Sequence, residues 1–219
     1  MDTTTPKVEA RSLQLQIVSK RLVDLVGSLF GLILLAPAFV VIAILIRTDS
    51  PGPIFFRQKR MGLNGQHFQV LKFRTMVVDA ENQLVRLEAL NESEGGILFK
   101  MKNDPRVTRI GEFLRRTSID ELPQLINVLL GEMSLVGPRP LQERDCERAR
   151  GLVEQRKLAC RQSVLPGMTG LWQIRGRSEL NFDQMLQLDL EYVDRWSLWL
   201  DLYILLRTVL VVLASEGAY

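Results

Sequence analysis

Leu22-Val-Asp-Leu-Val-Gly-Ser-Leu-Phe-Gly-Leu-Ile-Leu-Leu-Ala-Pro-Ala-Phe-Val-Val-Ile-Ala-Ile-Leu-Ile46 is an apolar run whose one charge is Asp24. By length it reads as a membrane helix, and it is too long for a signal peptide, with no small-residue cleavage site behind it. Pro37 removes a backbone donor and clashes with the preceding turn, so a kink or break is expected there. A helix broken at Pro37 leaves an arm, residues 22–36, of about 22 Å at ~1.5 Å per residue, against a hydrocarbon core of roughly 30 Å. Lys20 and Arg21 precede the run and Arg47 follows it. Basic flanks at both ends give no orientation bias and suit a re-entrant hairpin with both ends in the cytosol. A kinked helix that fully spans is the competing reading.

Outward from this run, residues 1–20 read as a polar N-terminal tail, 21–47 as the re-entrant membrane helix and 48–219 as a cytosolic catalytic domain. Asp49-Ser-Pro-Gly-Pro53 is a turn signal between the last two. Ile54–Gln58 and Gln66–Phe73 read as short strands of a hairpin. Helices are expected over Ala80–Asn91, Val107–Arg116, from Ser118 to about Leu130, across much of Leu141–Leu165 and over Phe182–Arg195. Pro166–Arg177 reads as a Gly-rich loop. A second apolar stretch, Trp196–Leu213, contains Asp201 and Arg207, which make a span costly. Trp196, Trp199 and Tyr203 recur at helical spacing, which suits an amphipathic helix in the membrane interface or a buried core helix. The fold class is mainly α with a small β-hairpin, and no βαβ series points to a Rossmann-type domain.

Basic and acidic residues nearly balance, 28 to 25, but they are segregated. Residues 51–78 hold no Asp or Glu yet contain Arg57, Lys59, Arg60, Lys72 and Arg74, and residues 155–178 repeat the pattern with Arg156, Lys157, Arg161, Arg175 and Arg177. Such stretches face anions or are simply solvated loops. Cys146 and Cys160 form no metal-ligand pattern or disulfide framework, and His67 is the single histidine. A histidine-based triad or metal centre is therefore hard to assemble.

Asp120 and Glu121 lie in Ser118-Ile-Asp-Glu121, a match to the capping box in which serine and glutamate satisfy amides at a helix start. Carboxylates there stay ionised beside the helix dipole. They serve equally as an aspartate nucleophile and as part of a Mg²⁺ site completed by substrate phosphates. Arg115 and Arg116 precede the pair, and Gly137-Pro-Arg-Pro140 follows it with Arg139 between two backbone-restricting prolines. Pro166-Gly-Met-Thr-Gly-Leu-Trp-Gln-Ile-Arg-Gly-Arg177 is composed as a phosphate-holding loop would be. Carboxylates, Mg²⁺ and several phosphate-binding cations together suit phosphoryl transfer. A non-catalytic, membrane-anchored scaffold in which the pair only caps a helix is the alternative.

Lys72-Phe-Arg-Thr-Met76, Thr117-Ser-Ile-Asp-Glu-Leu-Pro-Gln-Leu125, Met133-Ser-Leu-Val-Gly-Pro-Arg-Pro140 and Pro166-Gly-Met-Thr-Gly-Leu-Trp-Gln173, in this order, resemble the bacterial sugar transferase family, the monotopic phosphoglycosyl transferases. The resemblance runs from about Lys20 to the C-terminus. It implies transfer of a sugar-1-phosphate from a UDP-sugar to polyprenyl (undecaprenyl) phosphate, with release of UMP and a covalent phosphosugar–aspartate intermediate. It further implies that Asp120 is the nucleophile, that Glu121 with Asp120 holds Mg²⁺, and that Lys72, Arg115, Arg139 and Arg177 neutralise phosphates. Arg74, in the same acid-free stretch as Lys72, is a further phosphate-binding candidate. The resemblance also implies a re-entrant helix broken at Pro37, although Ala36 stands where smaller members often have serine. Larger members have extra transmembrane helices and a further domain, which about 20 residues ahead of the run would not supply. The expected partners are UDP-sugar, polyprenyl phosphate and the bilayer, with a homodimer left open and no nucleic acid. The expected location is the bacterial inner membrane, with the catalytic domain on its cytoplasmic face.

Overall fold

The computed structural model describes residues 5–93 and 95–213. Helix α1 runs from Thr5 to Asp49 and contains Pro37 without an interruption of helical assignment. It begins well before the expected boundary at residue 20. Pro6 is tolerated in a first turn, and Glu9, Ala10, Arg11, Leu13 and Gln14 are good helix formers with no breaker among them. The apolar run leaves Leu29, Phe30, Ile33, Leu34, Val40, Val41 and Ile44 exposed. It is the one helix among the described residues that is long and apolar enough to cross a membrane.

Charged residues tie the start of the run to the rest of the chain. Lys20 donates to Val136 O (3.0 Å) and pairs with Asp201 (2.7 Å). Arg21 donates to the carbonyls of Val128 and Leu129. Asp24, 2% exposed, accepts from Ser134 Oγ and the Leu135 amide. After Pro37, Phe39 packs edge-on against Phe73, and Ile42 and Ile46 are buried with Phe73 and Leu114. At the end of the helix, Asp49 accepts from the Ile110 amide. Both ends of the apolar run are thus held by one body.

That body starts with the expected hairpin, β1 (Phe55–Met61) and β2 (His67–Phe73), antiparallel from Phe55↔Phe73 to Met61↔His67. Asn64 (φ 51°) and Gly65 (φ 75°) adopt left-handed backbone at its turn. Helices α2 (Ala80–Leu87), α3 (Arg109–Arg116) and α4 (Gln124–Leu130) follow, each shorter than its sequence window. Thr108 caps α3 through its hydroxyl, and Gly131 (φ 85°) closes α4 in the left-handed conformation that glycine adopts without strain. Residues 141–165 hold two helices, α5 (Glu143–Ala149) and α6 (Gln155–Arg161), separated at Gly151 (φ 85°).

The Gly-rich stretch is more ordered than a loop. It contributes β4 (Gly167–Thr169), which pairs in parallel with β3 (Ser134–Val136), and then the short helix α7 (Leu171–Ile174). Strands of three residues carry too little periodicity to be read from sequence. Helices α8 (Phe182–Asp194) and α9 (Leu198–Leu213) complete the chain. The largest core cluster gathers Leu141, Cys146, Leu158, Trp172, Phe182 and Met185 from α5–α8 and their connections. A second joins Val136, Leu171, Tyr192 and Ile204 beneath α9. On α9, Trp199, Tyr203, Leu206 and Leu210 form one exposed apolar stripe. Trp196, grouped with them in the sequence reading, instead turns inward and donates to Asp201.

Candidate active site

Asp120 and Glu121 do not start a helix through a capping box. Ser118 is left-handed (φ 58°) and caps nothing with its side chain, and Ile119–Glu121 is a single 3-10 turn ahead of α4. The two side chains that would have closed the box are used elsewhere. Ser118 Oγ lies 2.5 Å from Arg177 Nη2, and Glu121 Oε1 is 2.6 Å from Lys72 Nζ and 3.7 Å from Arg139 Nη1. The structural reason is position: α3 and β2 meet at this turn, so partners remote in sequence outcompete the local amides.

The pair lies in a cleft of about 560 Å³. Lys72, Arg115, Arg139 and Arg177 all line it, so the structure brings together four of the five expected cations. Arg74 is not among them. Its guanidinium is buried and donates to the Ser50 carbonyl (2.7 Å) and hydroxyl (2.9 Å) beneath the turn after α1. A spacing of two along the chain from Lys72 is no guide here, because Arg74 follows the last paired residue of β2 and is drawn to the foot of α1. Its assignment as a phosphate ligand does not fit this placement.

Electrostatically the two carboxylates diverge. Asp120 is 8% exposed, and burial raises its carboxyl well above the usual aspartate range although Lys72 pulls the other way. Burial would raise Glu121 too, but Lys72 and Arg139 outweigh it and hold that carboxyl well below its ordinary value. One member of the pair is therefore committed to cations, while the Asp120 side chain makes no hydrogen bond or ion pair among the described residues.

Three residues not singled out as site residues from sequence also line the cleft. Arg60 from β1 donates to Pro140 O (2.9 Å) and to Gln58, and burial, with Arg139 nearby, pushes it down to about 10. It stands in the acid-free stretch, which was the available signal. Trp172 at the start of α7 carries the Arg139 guanidinium over its ring at 4.8 Å. Asp145, buried beside Arg144, lines the cleft as well.

No group of three or more His, Cys, Asp or Glu side chains suited to a metal occurs among the described residues. A Mg²⁺ ion needs fewer, since it takes one or two carboxylates and completes its shell with water and substrate phosphate. Hard oxygen donors at Asp120 and Glu121, opening on a cleft walled by phosphate-binding cations, fit that chemistry.

The sequence model described as bacterial sugar transferase matches residues 15–215. Among curated proteins, the UDP-galactose-lipid carrier transferase of Erwinia amylovora is 46% identical over 203 residues, covering 91% of this chain and 41% of that protein. The UDP-glucose:undecaprenyl-phosphate glucose-1-phosphate transferase of Escherichia coli is 43% identical over 205 residues, with 91% and 41% covered. The exopolysaccharide production protein ExoY of Rhizobium meliloti is 40% identical over 205 residues, 92% of this chain and 88% of that protein. The chain thus spans about two fifths of the length of the first two relatives and nearly all of the third. With the match extending from within α1 to the end of α9, the chain belongs to the bacterial sugar transferase family.

Proposed function

We propose that the protein transfers a sugar-1-phosphate from a UDP-sugar to polyprenyl phosphate, releasing UMP, through a phosphosugar ester on Asp120. The observation that carries this reading is the division of labour in the pair: Glu121 is held by Lys72 and Arg139, while Asp120 opens on the cleft with no hydrogen-bond or ion-pair partner among the described residues. An oxygen of Asp120 attacks the β-phosphorus of the UDP-sugar. The bond from that phosphorus to the bridging oxygen breaks, and its electron pair leaves with UMP. An oxygen of polyprenyl phosphate then attacks the same phosphorus, the aspartyl–phosphorus bond breaks, and the carboxylate is restored. Arg115, Arg139 and Arg177 neutralise the diphosphate and the incoming phosphate, and burial of the pair keeps water from competing. Mg²⁺, held by Asp120 and Glu121, would supply further charge neutralisation at the phosphates.

The relatives' names include galactose and glucose carriers, which makes UDP-galactose and UDP-glucose the first donors to try. The exposed apolar run of α1 and the exposed stripe of α9 are read as the surfaces that meet the bilayer. Lys20 and Arg21 before the run, Asp24 at its start and Asp49 after it are bonded to the same body. A straight span would separate these ends by roughly 30 Å of hydrocarbon, so a re-entrant course at the cytoplasmic face of the bacterial inner membrane is the topology we infer.

Asp120→Asn tests the chemistry. Assayed with UDP-sugars, polyprenyl phosphate and Mg²⁺, it is expected to release no UMP above background. Wild-type protein given donor with labelled sugar phosphate, and no acceptor, is expected to retain the label covalently. Full activity of Asp120→Asn would sink the covalent route, and inactive wild type across a donor panel would favour a scaffold.

A further inference from the structure

Between Gly137 and Leu141 the backbone of the Pro-Arg-Pro segment is gripped from several sides. The Gly137 amide donates to Thr169 O (2.8 Å), and the Gly167 amide donates to Pro138 O (2.8 Å). Pro138 and Pro140 have no amide hydrogens, so Arg139 carries the one backbone donor between Gly137 and Leu141. A buried amide must find an acceptor. That of Arg139 faces the Asp189 carboxylate of α8 and stabilises its charge. The Arg139 carbonyl accepts from Arg161 Nη2 of α6. Arg161 Nε and Asp189 Oδ2 pair with each other at 2.7 Å, both side chains almost wholly buried. A buried ion pair is costly to desolvate, and apolar residues in its place are often neutral or stabilising. Stability of the α6–α8 contact alone therefore gives little reason for the pair.

We propose that Arg161 and Asp189 are positioning residues that clamp the two backbone polar groups of Arg139, so that its guanidinium is held over Trp172 and toward Glu121. The guanidinium itself lies 4.8 Å from the Trp172 ring and 3.7 Å from Glu121 Oε1. An arginine on a loop normally spends rotamer and backbone entropy when it meets phosphate. Fixing the backbone at both polar groups, with prolines on either side, removes much of that cost before substrate arrives. The clamp rests on the phosphoglycosyl transferase reading only for what Arg139 does, not for how Arg139 is held. It also places α6 and α8, which carry no cleft-lining cation, in the support of the cleft.

The test separates positioning from folding and from the proposed activity. Trp172 is made the single tryptophan by Trp196→Phe and Trp199→Phe, and its quenching by acrylamide is followed. Arg161→Met with Asp189→Leu replaces the pair by apolar side chains, Asp189→Asn keeps an acceptor for the Arg139 amide, and Arg139→Ala is the reference. With folding checked by circular dichroism, the double variant is expected to expose Trp172 to quencher as Arg139→Ala does. UMP release should fall by about 10²-fold, the scale of an ångström-level misplacement. Adding Arg139→Ala to the double variant should cost nothing further, and Asp189→Asn should recover part of the loss. Wild-type quenching in a folded double variant, or losses that multiply with Arg139→Ala, would overturn the clamp. If Trp172 responds as expected while wild type releases no UMP, the clamp stands and the proposed reaction falls. Should the double variant fail to fold, quenching in Asp189→Asn decides: a value between wild type and Arg139→Ala supports the clamp, and an unchanged value overturns it.

Discussion

Ser118 and Glu121 show how a local motif can be present and unused. Their spacing satisfies a capping box, yet Ser118 is left-handed and bonded to Arg177, and Glu121 is taken by Lys72. The hydroxyl therefore belongs to the cleft, and Ser118→Ala tests this without removing a charge. A hydrogen bond to a charged group contributes about 1.5–3 kcal/mol. The variant is accordingly expected to raise the KM for UDP-sugar about tenfold or more, with kcat nearly unchanged. An unaltered KM would return Ser118 to a purely structural part. Asp120 and Glu121 were legible as a neighbouring carboxylate pair, but spacing alone suited helix capping as well, and the roles expected of Lys72, Arg115, Arg139 and Arg177 came from the family motifs. The placement of Arg74 was not legible, because nothing in its neighbourhood announces that the turn at Ser50 lies against it.

At the scale of elements, α1 carries the clearest disagreement between hydropathy and structure. Asp24 interrupts an apolar run, and by composition its replacement with leucine should improve a membrane helix. In the fold it accepts from Ser134 and from the Leu135 amide, just ahead of the segment that carries Arg139. Asp24→Leu leaves that amide without its acceptor, at a cost of about 1–3 kcal/mol. A lower melting temperature in detergent is expected, and an unchanged or higher one would show that the anchor contributes little. The hairpin and most helices were readable because alternation, helical periodicity and glycine termini act locally. The pairing of β3 with β4 was not, since the partners are three-residue strands about thirty positions apart. The start of α1 at Thr5 was missed for the opposite reason: a polar segment of good helix formers shows no apolar face to mark it.

For the whole molecule, the common attachment of both ends of the apolar run makes a topological prediction. Cysteines introduced at Thr5 and Thr48, in a chain without Cys146 and Cys160, should react with a membrane-impermeant thiol reagent from the same side of sealed vesicles. Labelling from opposite sides would restore a spanning helix. Sequence by itself determined the apolar run, the hairpin, the carboxylate pair and the family motifs, because each is encoded in a short window by residue type and spacing. Only the tertiary structure decided that Glu121 is held by Lys72 rather than by a helix start, and that Arg74 stays outside the cleft. It likewise paired Asp24 with the β3 backbone and set the Arg161–Asp189 pair against Arg139. Those outcomes depend on which remote group reaches a buried polar atom first, and spacing along the chain does not carry that information.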